Sequence, residues 1–248
     1  MTTGFDAEKI VDALRLGAED LQIPELTLQQ EQQFLDYCRF LLEYNNKVNL
    51  TAITDPVEIA LKHFIDSLSL QRIYSFNVPV SCIDIGSGAG FPGVPLLIAQ
   101  PGLQLTLLDA VRKRLLFLEQ LLPILNLTAN TVHSRAEDAA HNPRYRAAFQ
   151  LATARAVAPL PVLLEYAVPF LVKGGHFIAY KGPAAATELA ESRSALKKLG
   201  VAIVGEDSFS MPDISGEAAQ RTLLLFVKEK DTDKRYPRTP RQIKSNPL

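Results

Sequence analysis

Cys82-Ile83-Asp84-Ile85-Gly86-Ser87-Gly88-Ala89-Gly90-Phe91-Pro92-Gly93 decides the fold. A mostly apolar run closes at Ile85, and glycines then alternate at Gly86, Gly88 and Gly90. Pro92 and Pro95 suit the first turn of a helix, where a missing N–H costs nothing. Glycine tolerates φ > 0 and lets a ligand approach the backbone closely. The pattern is G-x-G-x-G, without the last glycine of the dinucleotide fingerprint. A tight strand–helix turn that serves no ligand is the plain alternative. Three alternating glycines directly after a buried strand weigh against it.

On the far side of this loop, short apolar runs alternate with helical patterns. The predicted strands are VSCIDIG, LQLTLLDA, LTANTVHSRA, FQLATARA, GHFIAYKG, VAIVGEDSFS and RTLLLFVKEK. Helical patterns separate most of them, as in a parallel sheet covered on both faces. Only MPDISGEAAQ lies between the last two, which is short for a crossover helix and adequate for a hairpin-like return. Six strands joined mostly by helices, with a reversed seventh, is the topology of class I methyltransferases: a Rossmann-like, seven-stranded sheet whose last strand is antiparallel. In that class the glycine loop meets the amino-acid end of S-adenosylmethionine. Asp109 ends the second strand 19 residues past Gly90, where an acid can bridge ribose hydroxyls. Ser134-Arg135-Ala136-Glu137-Asp138 follows the third strand, where backbone and acid meet the adenine. The alternative for that segment is a helix N-cap with acids facing the helix dipole, and the two roles are compatible.

On the near side, residues 1–77 read as a helical cap. Val11, Leu14, Ala18 and Leu21 recur at helical spacing, as do Phe34, Tyr37, Cys38, Leu41 and Leu42, in a helix that Thr27 can cap. Asp55-Pro56 opens a third helix carrying Ile59, Phe64, Leu68 and Leu70. Residues 78–230 form the methyltransferase core, and residues 231–248 a basic tail whose default role is a solvated terminus.

The 248 residues suit one large domain with an appendage, and 47% apolar with 21% charged residues exclude disorder and disulfide scaffolds. A net charge of −1 excludes a bulk-basic nucleic-acid coat while allowing a local basic patch. Cys38 and Cys82 lack metal-ligand or redox spacing, so no metal is expected and a reducing compartment fits. The acidic N-terminus does not read as a signal peptide, and apolar stretches stop well short of ~18 residues. A cytoplasmic, membrane-free monomer is the expectation.

Substrate class turns on the end of the fourth strand, Thr153-Ala154-Arg155-Ala156. No Asn/Asp-Pro-Pro-aromatic clamp stands there, and Asn142-Pro143-Arg144-Tyr145 reads as a loop. No cysteine is near enough to serve as a C5-methylation nucleophile. Arg155 is an always-charged donor fork for phosphate or a base edge. Guanine N7 attacks with its own lone pair, so no catalytic acid–base residue is required. The Arg112-Lys113-Arg114 run reads as a solvated helix face that can also hold RNA phosphate.

The chain resembles the bacterial 16S ribosomal RNA guanine-N7 methyltransferase family, also called glucose-inhibited division protein B, from about residue 30 to its end. The resemblance rests on Asn46-Lys47-Val48-Asn49-Leu50-Thr51, on His63-Phe64-Ile65-Asp66-Ser67-Leu68 and on the glycine loop. It continues in Ser134-Arg135-Ala136-Glu137, in Thr153 to Ala158, in Tyr180-Lys181-Gly182 and in a tail with Arg235-Tyr236-Pro237-Arg238, Lys244 and Pro247-Leu248. It implies methyl transfer from S-adenosylmethionine to N7 of one guanine in 16S ribosomal RNA, free or in the small subunit. It also implies cofactor contacts by Gly86, Phe91, Ala136, Glu137 and Arg155, joined by Asp109 on the ribose argument. His63, Asp66 and Lys181 carry over as substrate-side residues. His63 is equally readable as a structural histidine, Asp66 as a local cap or pair, and Asn49 and Thr51 as turn residues. The rivals are a methyltransferase of small molecules or proteins and a non-enzymatic RNA-binding module.

Overall fold

The computed structural model describes residues 4–77, 79–211 and 219–248. β1 (Val80–Ile85), β2 (Leu103–Asp109), β3 (Asn130–His133), β4 (Phe149–Arg155), β5 (Leu171–Lys181), β6 (Val201–Ser210) and β7 (Gln220–Lys228) form one sheet, in the order β3-β2-β1-β4-β5-β7-β6. The pairs among β1 to β5 are parallel, and β7 runs antiparallel to both β5 and β6. The expected β6–β7 return is seen in its flanks, where Ser210 pairs with Gln220 and the Met211 N–H donates to Ala219 O at 2.9 Å. Its connecting residues 212–218 lie outside the described residues. The third strand is four residues, shorter than the ten of the sequence reading, because it is a half-exposed edge.

Alternate residues divide the strands between two cores. Cys82, Leu105, Leu107, Leu151, Ile178 and Leu223 face one side, where Phe34, Tyr37, Phe64, Phe117 and Leu118 cover them. Ile83, Leu108, Ala152, Phe177 and Leu224 face the other, against Leu163, Leu164 and Phe170. The N-terminal helices therefore complete one face of the sheet. Helix Ala7–Asp20 is capped by Asp6, and helix Leu28–Asn45 by a Thr27–Gln30 capping box. The third helix starts at Pro56, with Asp55 accepting from the Val57 and Glu58 N–H groups. It then widens into a π-helical stretch, Ala60–Ile65, before Asp66–Leu68 and Ser69–Arg72. Apolar spacing did not predict that widening.

The tail departs in part from the solvated-terminus expectation. Tyr236, Ile243 and Leu248 are buried. Arg238 forks onto Glu165, which is 0% exposed, with Nη2–Oε2 at 2.7 Å. Arg238 thus fixes the tail to helix Leu160–Ala167, while Lys234, Arg235, Arg241 and Lys244 stay exposed. Among the described residues no helix is long and apolar enough to cross a membrane.

Candidate active site

Strand order reverses between β1 and β4, and ligands of open α/β sheets bind beyond the carboxyl ends of strands at such a point. Two cavities open there and share Ala156 and Val157 as a common wall. Ala156 holds φ +56°, a left-handed conformation that a residue with a Cβ seldom adopts.

The first cavity, 290 Å³, brings together Gly86, Asp109, Ala136 and Glu137, with Tyr166 and Arg114 also at its wall. The glycine loop takes φ +70°, +59° and +100° at Gly86, Gly88 and Gly90. A Cβ at Gly86 would lie 2.8 Å from Val157 Cγ2. A Cβ at Gly90 would lie 2.6 Å from the Tyr37 hydroxyl. That hydroxyl donates to Ala89 O and ties the loop to helix Leu28–Asn45. Asp84, fully buried at the end of β1, accepts from Gly93 N (3.1 Å) and Thr153 Oγ1 (3.1 Å) and pins the loop's exit. Burial pushes its carboxyl up to about 6, against the lowering effect of those hydrogen bonds.

Asp109 stands where the sequence reading put it and does more. Its Oδ2 accepts from Gly88 N at 2.9 Å and its Oδ1 from Val111 N at 2.7 Å, while Arg114 lies 3.5 Å away. Glu137, 6% exposed, has one ion pair at 4.0 Å, with Arg135, and no hydrogen-bond donor among the described residues. The helix it opens is N-capped by Arg135 without a side-chain bond, so Ser134 is not its cap.

The second cavity, 620 Å³, gathers His63, Asp66, Arg155 and Lys181, all four substrate-side candidates, and adds Glu188 and Arg221. Asp66 neither caps nor pairs locally. It is 3% exposed and lies between Arg155 (Nη1–Oδ2 2.8 Å) and Arg221 (Nε–Oδ1 3.2 Å). Arg155 also donates to the Lys62 and His63 carbonyls of the π-helical stretch. His63 Nδ1 lies 3.4 Å from Arg155 Nη2 and its Nε2 2.8 Å from Thr51 Oγ1. A guanidinium only donates, which assigns the imidazole proton to Nε2. Burial, reinforced by Arg155, pushes His63 down to about 3.

Lys181 is at the cleft but not as an open point charge. It is 8% exposed, with Nζ 2.7 Å from Glu188 Oε2 and 2.9 Å from Ala158 O. Phe91, expected at the cofactor, lines neither cavity, and the same holds for Gly88 and Gly90. Its ring stacks between Tyr37 (5.5 Å) and His63 (4.6 Å), with the Arg155 guanidinium 5.0 Å from its centroid. Arg155 lines the second cavity, one residue from the shared wall. Tyr37 and Asp84 were expected only as parts of a helix and a strand, and Glu188 and Arg221 were not expected at the site.

The family model for rRNA small subunit methyltransferase G matches residues 30–211. Ribosomal RNA small subunit methyltransferase G of Desulfitobacterium hafniense is 48% identical over 225 residues, covering 90% of this chain and 91% of that protein. The protein of the same name from Alkaliphilus oremlandii is 42% identical over 243 residues, covering 97% and 99%. The chain belongs to the rRNA small subunit methyltransferase G family. Among solved structures, TrmN from Thermus thermophilus aligns with a TM-score of 0.51 at 16% identity, over 66% of this chain and 48% of that one. A SAM-dependent methyltransferase from Methanosarcina mazei aligns at 0.50 and 12% identity, over 62% and 94%. These two likenesses concern the fold.

This member of the methyltransferase G family uses S-adenosylmethionine, and the first cavity fits it. A Cβ at Gly88 would meet only Gly86 O, at 3.8 Å, so that side of the loop is open. Two nearly buried carboxylates, Asp109 at the end of β2 and Glu137 in the helix that follows β3, stand beside the apolar walls of Ile85, Leu108 and Val157. That is an acceptor set for ribose hydroxyls and an adenine amino group, beside walls that can hold an adenine ring.

Proposed function

We propose that this methyltransferase transfers methyl from S-adenosylmethionine to N7 of one guanine in 16S ribosomal RNA. The observation that carries the reading is the meeting of two chemically different cavities at Ala156–Val157: one glycine-walled with Asp109 and Glu137, the other holding four cations, Arg155, Arg221, Lys181 and Lys62, against two carboxylates, Asp66 and Glu188.

When bound, S-adenosylmethionine supplies an electrophilic methyl group on a sulfonium. The chain's task is then alignment rather than acid–base work. Gly86, Gly88 and Gly90 shape the backbone toward the cofactor, Asp109 and Glu137 accept from its hydroxyls and adenine, and Ala136 offers backbone. Phe91 acts behind the loop, its stack keeping His63 and Arg155 in place. Asp66 turns Arg155 and Arg221 so that their remaining N–H groups serve the RNA. His63, neutral with both nitrogens engaged, positions Arg155 and removes no proton, in keeping with a nucleophile that brings its own lone pair.

The cationic cavity favours a polyanionic substrate over a neutral small molecule or a protein side chain. We take the protein to act as a monomer in the cytoplasm, with residues 1–77 and 231–248 serving the core at 78–230. The test is incubation with radiolabelled S-adenosylmethionine and small subunits lacking the modification, followed by separation of RNA from protein. Label in 16S RNA is the expected result, falling steeply as salt rises through release of counterions. Label in ribosomal protein, or none with cofactor bound, overturns the reading.

A further inference from the structure

We infer that Glu188 selects guanine, its Oε1 accepting hydrogen bonds from N1–H and the N2 amino group of the target base. The inference rests on the proposed guanine-N7 reaction and adds the means by which the base is chosen.

N7 lies on one edge of the purine and N1 and N2 on the opposite one. With N7 turned toward Ala156–Val157, where the cavities meet, the N1/N2 edge points deeper into the second cavity. Guanine alone presents two adjacent donors on that edge, whereas adenine presents an acceptor at N1 beside its amino group. A carboxylate complements the guanine pattern and repels the adenine one. Bases read outside a helix are recognised on this edge.

Two carboxylates line the second cavity among the described residues, Asp66 and Glu188. Asp66 has an arginine on each oxygen and is 3% exposed. Glu188 is arranged differently. Its Oε2 accepts from Leu160 N at 2.6 Å and pairs with Lys181 Nζ at 2.7 Å. Its Oε1 has no partner among the described residues, and the side chain keeps 23% exposure. One oxygen anchors the group to helix Leu160–Ala167 and to β5, and the other is left unpaired, among the described residues, on a side chain that lines the cavity. Lys181, buried against Glu188 and Ala158 O, then holds the reading group in place.

The test compares guanosine with inosine, which keeps N7, O6 and N1–H and lacks the N2 amino group. Small subunits are reconstituted with either nucleoside at the methyl-accepting position, and kcat/KM is measured for the wild type, Glu188→Gln and Glu188→Ala. The wild type should lose about tenfold on inosine, the value of one hydrogen bond to a charged acceptor. Glu188→Ala should fall about ten- to a hundredfold on guanosine and treat the two substrates alike. Glu188→Gln keeps an acceptor for Leu160 N and should also lose most of the discrimination. A purely structural Glu188 would lower both rates by one factor and leave the guanosine-to-inosine ratio at its wild-type value, which overturns the inference. So does a wild type that uses both substrates equally. A wild type that places no methyl on guanosine N7 overturns instead the reaction on which the inference rests.

Discussion

Asp109 Oδ2 accepts the backbone N–H of Gly88 at 2.9 Å, so the carboxylate at the end of β2 also holds the glycine loop that follows β1. Asp109→Ala should therefore lower both stability and cofactor affinity. Leaving Gly88 N and Val111 N without their acceptor costs about 1–3 kcal/mol. Calorimetric affinity for S-adenosylmethionine should fall about tenfold or more as the ribose acceptor is lost. Thermal denaturation of the free protein separates the effects: an unchanged melting temperature contradicts the loop tether, and unchanged affinity places the ribose elsewhere.

Gly86→Val should abolish cofactor binding, through the backbone angle that the glycine pattern implies and a clash that the structure adds. The new Cβ points at Val157, 2.8 Å away, and the residue must hold φ +70°. The conformation costs about 1–2 kcal/mol for an L-residue. The clash displaces Val157, which walls both cavities. Gly86→Val combined with Val157→Ala relieves the clash and not the backbone, so calorimetry should show partial recovery. No recovery would mean that the conformation alone accounts for the loss.

The plan of a seven-stranded sheet with helices was legible because it rests on local pattern. The Cys82–Gly93 loop, the Thr27 cap and the short β6–β7 connection each declare themselves over a few residues. The first cavity was legible for the same reason, since Gly86, Asp109 and Glu137 each end or follow a strand. The second cavity was legible only in part. Asp66 and Arg221 lie 155 residues apart and meet through the antiparallel placement of β7 beside β5. The π-helical widening that offers the Lys62 and His63 carbonyls to Arg155 leaves no trace in apolar spacing. The tail is solvated over most of its length, as expected, and the docking of Arg238 escaped notice, because a basic terminus gives no sign of a buried partner such as Glu165.

Arg221→Ala should weaken RNA binding and spare the cofactor. Arg221 lines the second cavity with a side chain 30% exposed. Loss of one phosphate contact reduces the slope of log K against log salt by about 0.7–1 unit. Filter binding across a salt series reads this directly. An unaltered slope removes Arg221 from the RNA path.

His63 gives the protein an acid limit. Its folded-state pKa, about 3, lies below the ordinary 6.5, so the unfolded chain takes up a proton that the native state refuses. Stability is complete above pH 6.5 and declines as pH falls toward 3, by up to about 1.4 kcal/mol per unit. Asp84 acts in the opposite sense between its ordinary value and about 6, because its raised carboxyl favours the folded state on acidification. Denaturant melts of the wild type and His63→Asn at pH 7 and 5.5 isolate the histidine. The variant should lose about 1 kcal/mol less than the wild type over that interval. Equal losses would place a charged imidazole in the native state. Turnover, in contrast, should be flat from about pH 6.5 to 8.5, since N7 attacks with its own lone pair and no proton transfer is needed; an inflection abolished by His63→Asn would make His63 a base.

The central claim is the atom that receives the methyl group. Small subunits lacking the modification are incubated with the enzyme and labelled S-adenosylmethionine, the 16S RNA is digested to nucleosides, and the product is identified by mass spectrometry and mapped to its position. The account predicts a single labelled guanosine methylated at N7. Label on another atom or base, or spread over many guanosines, would contradict it.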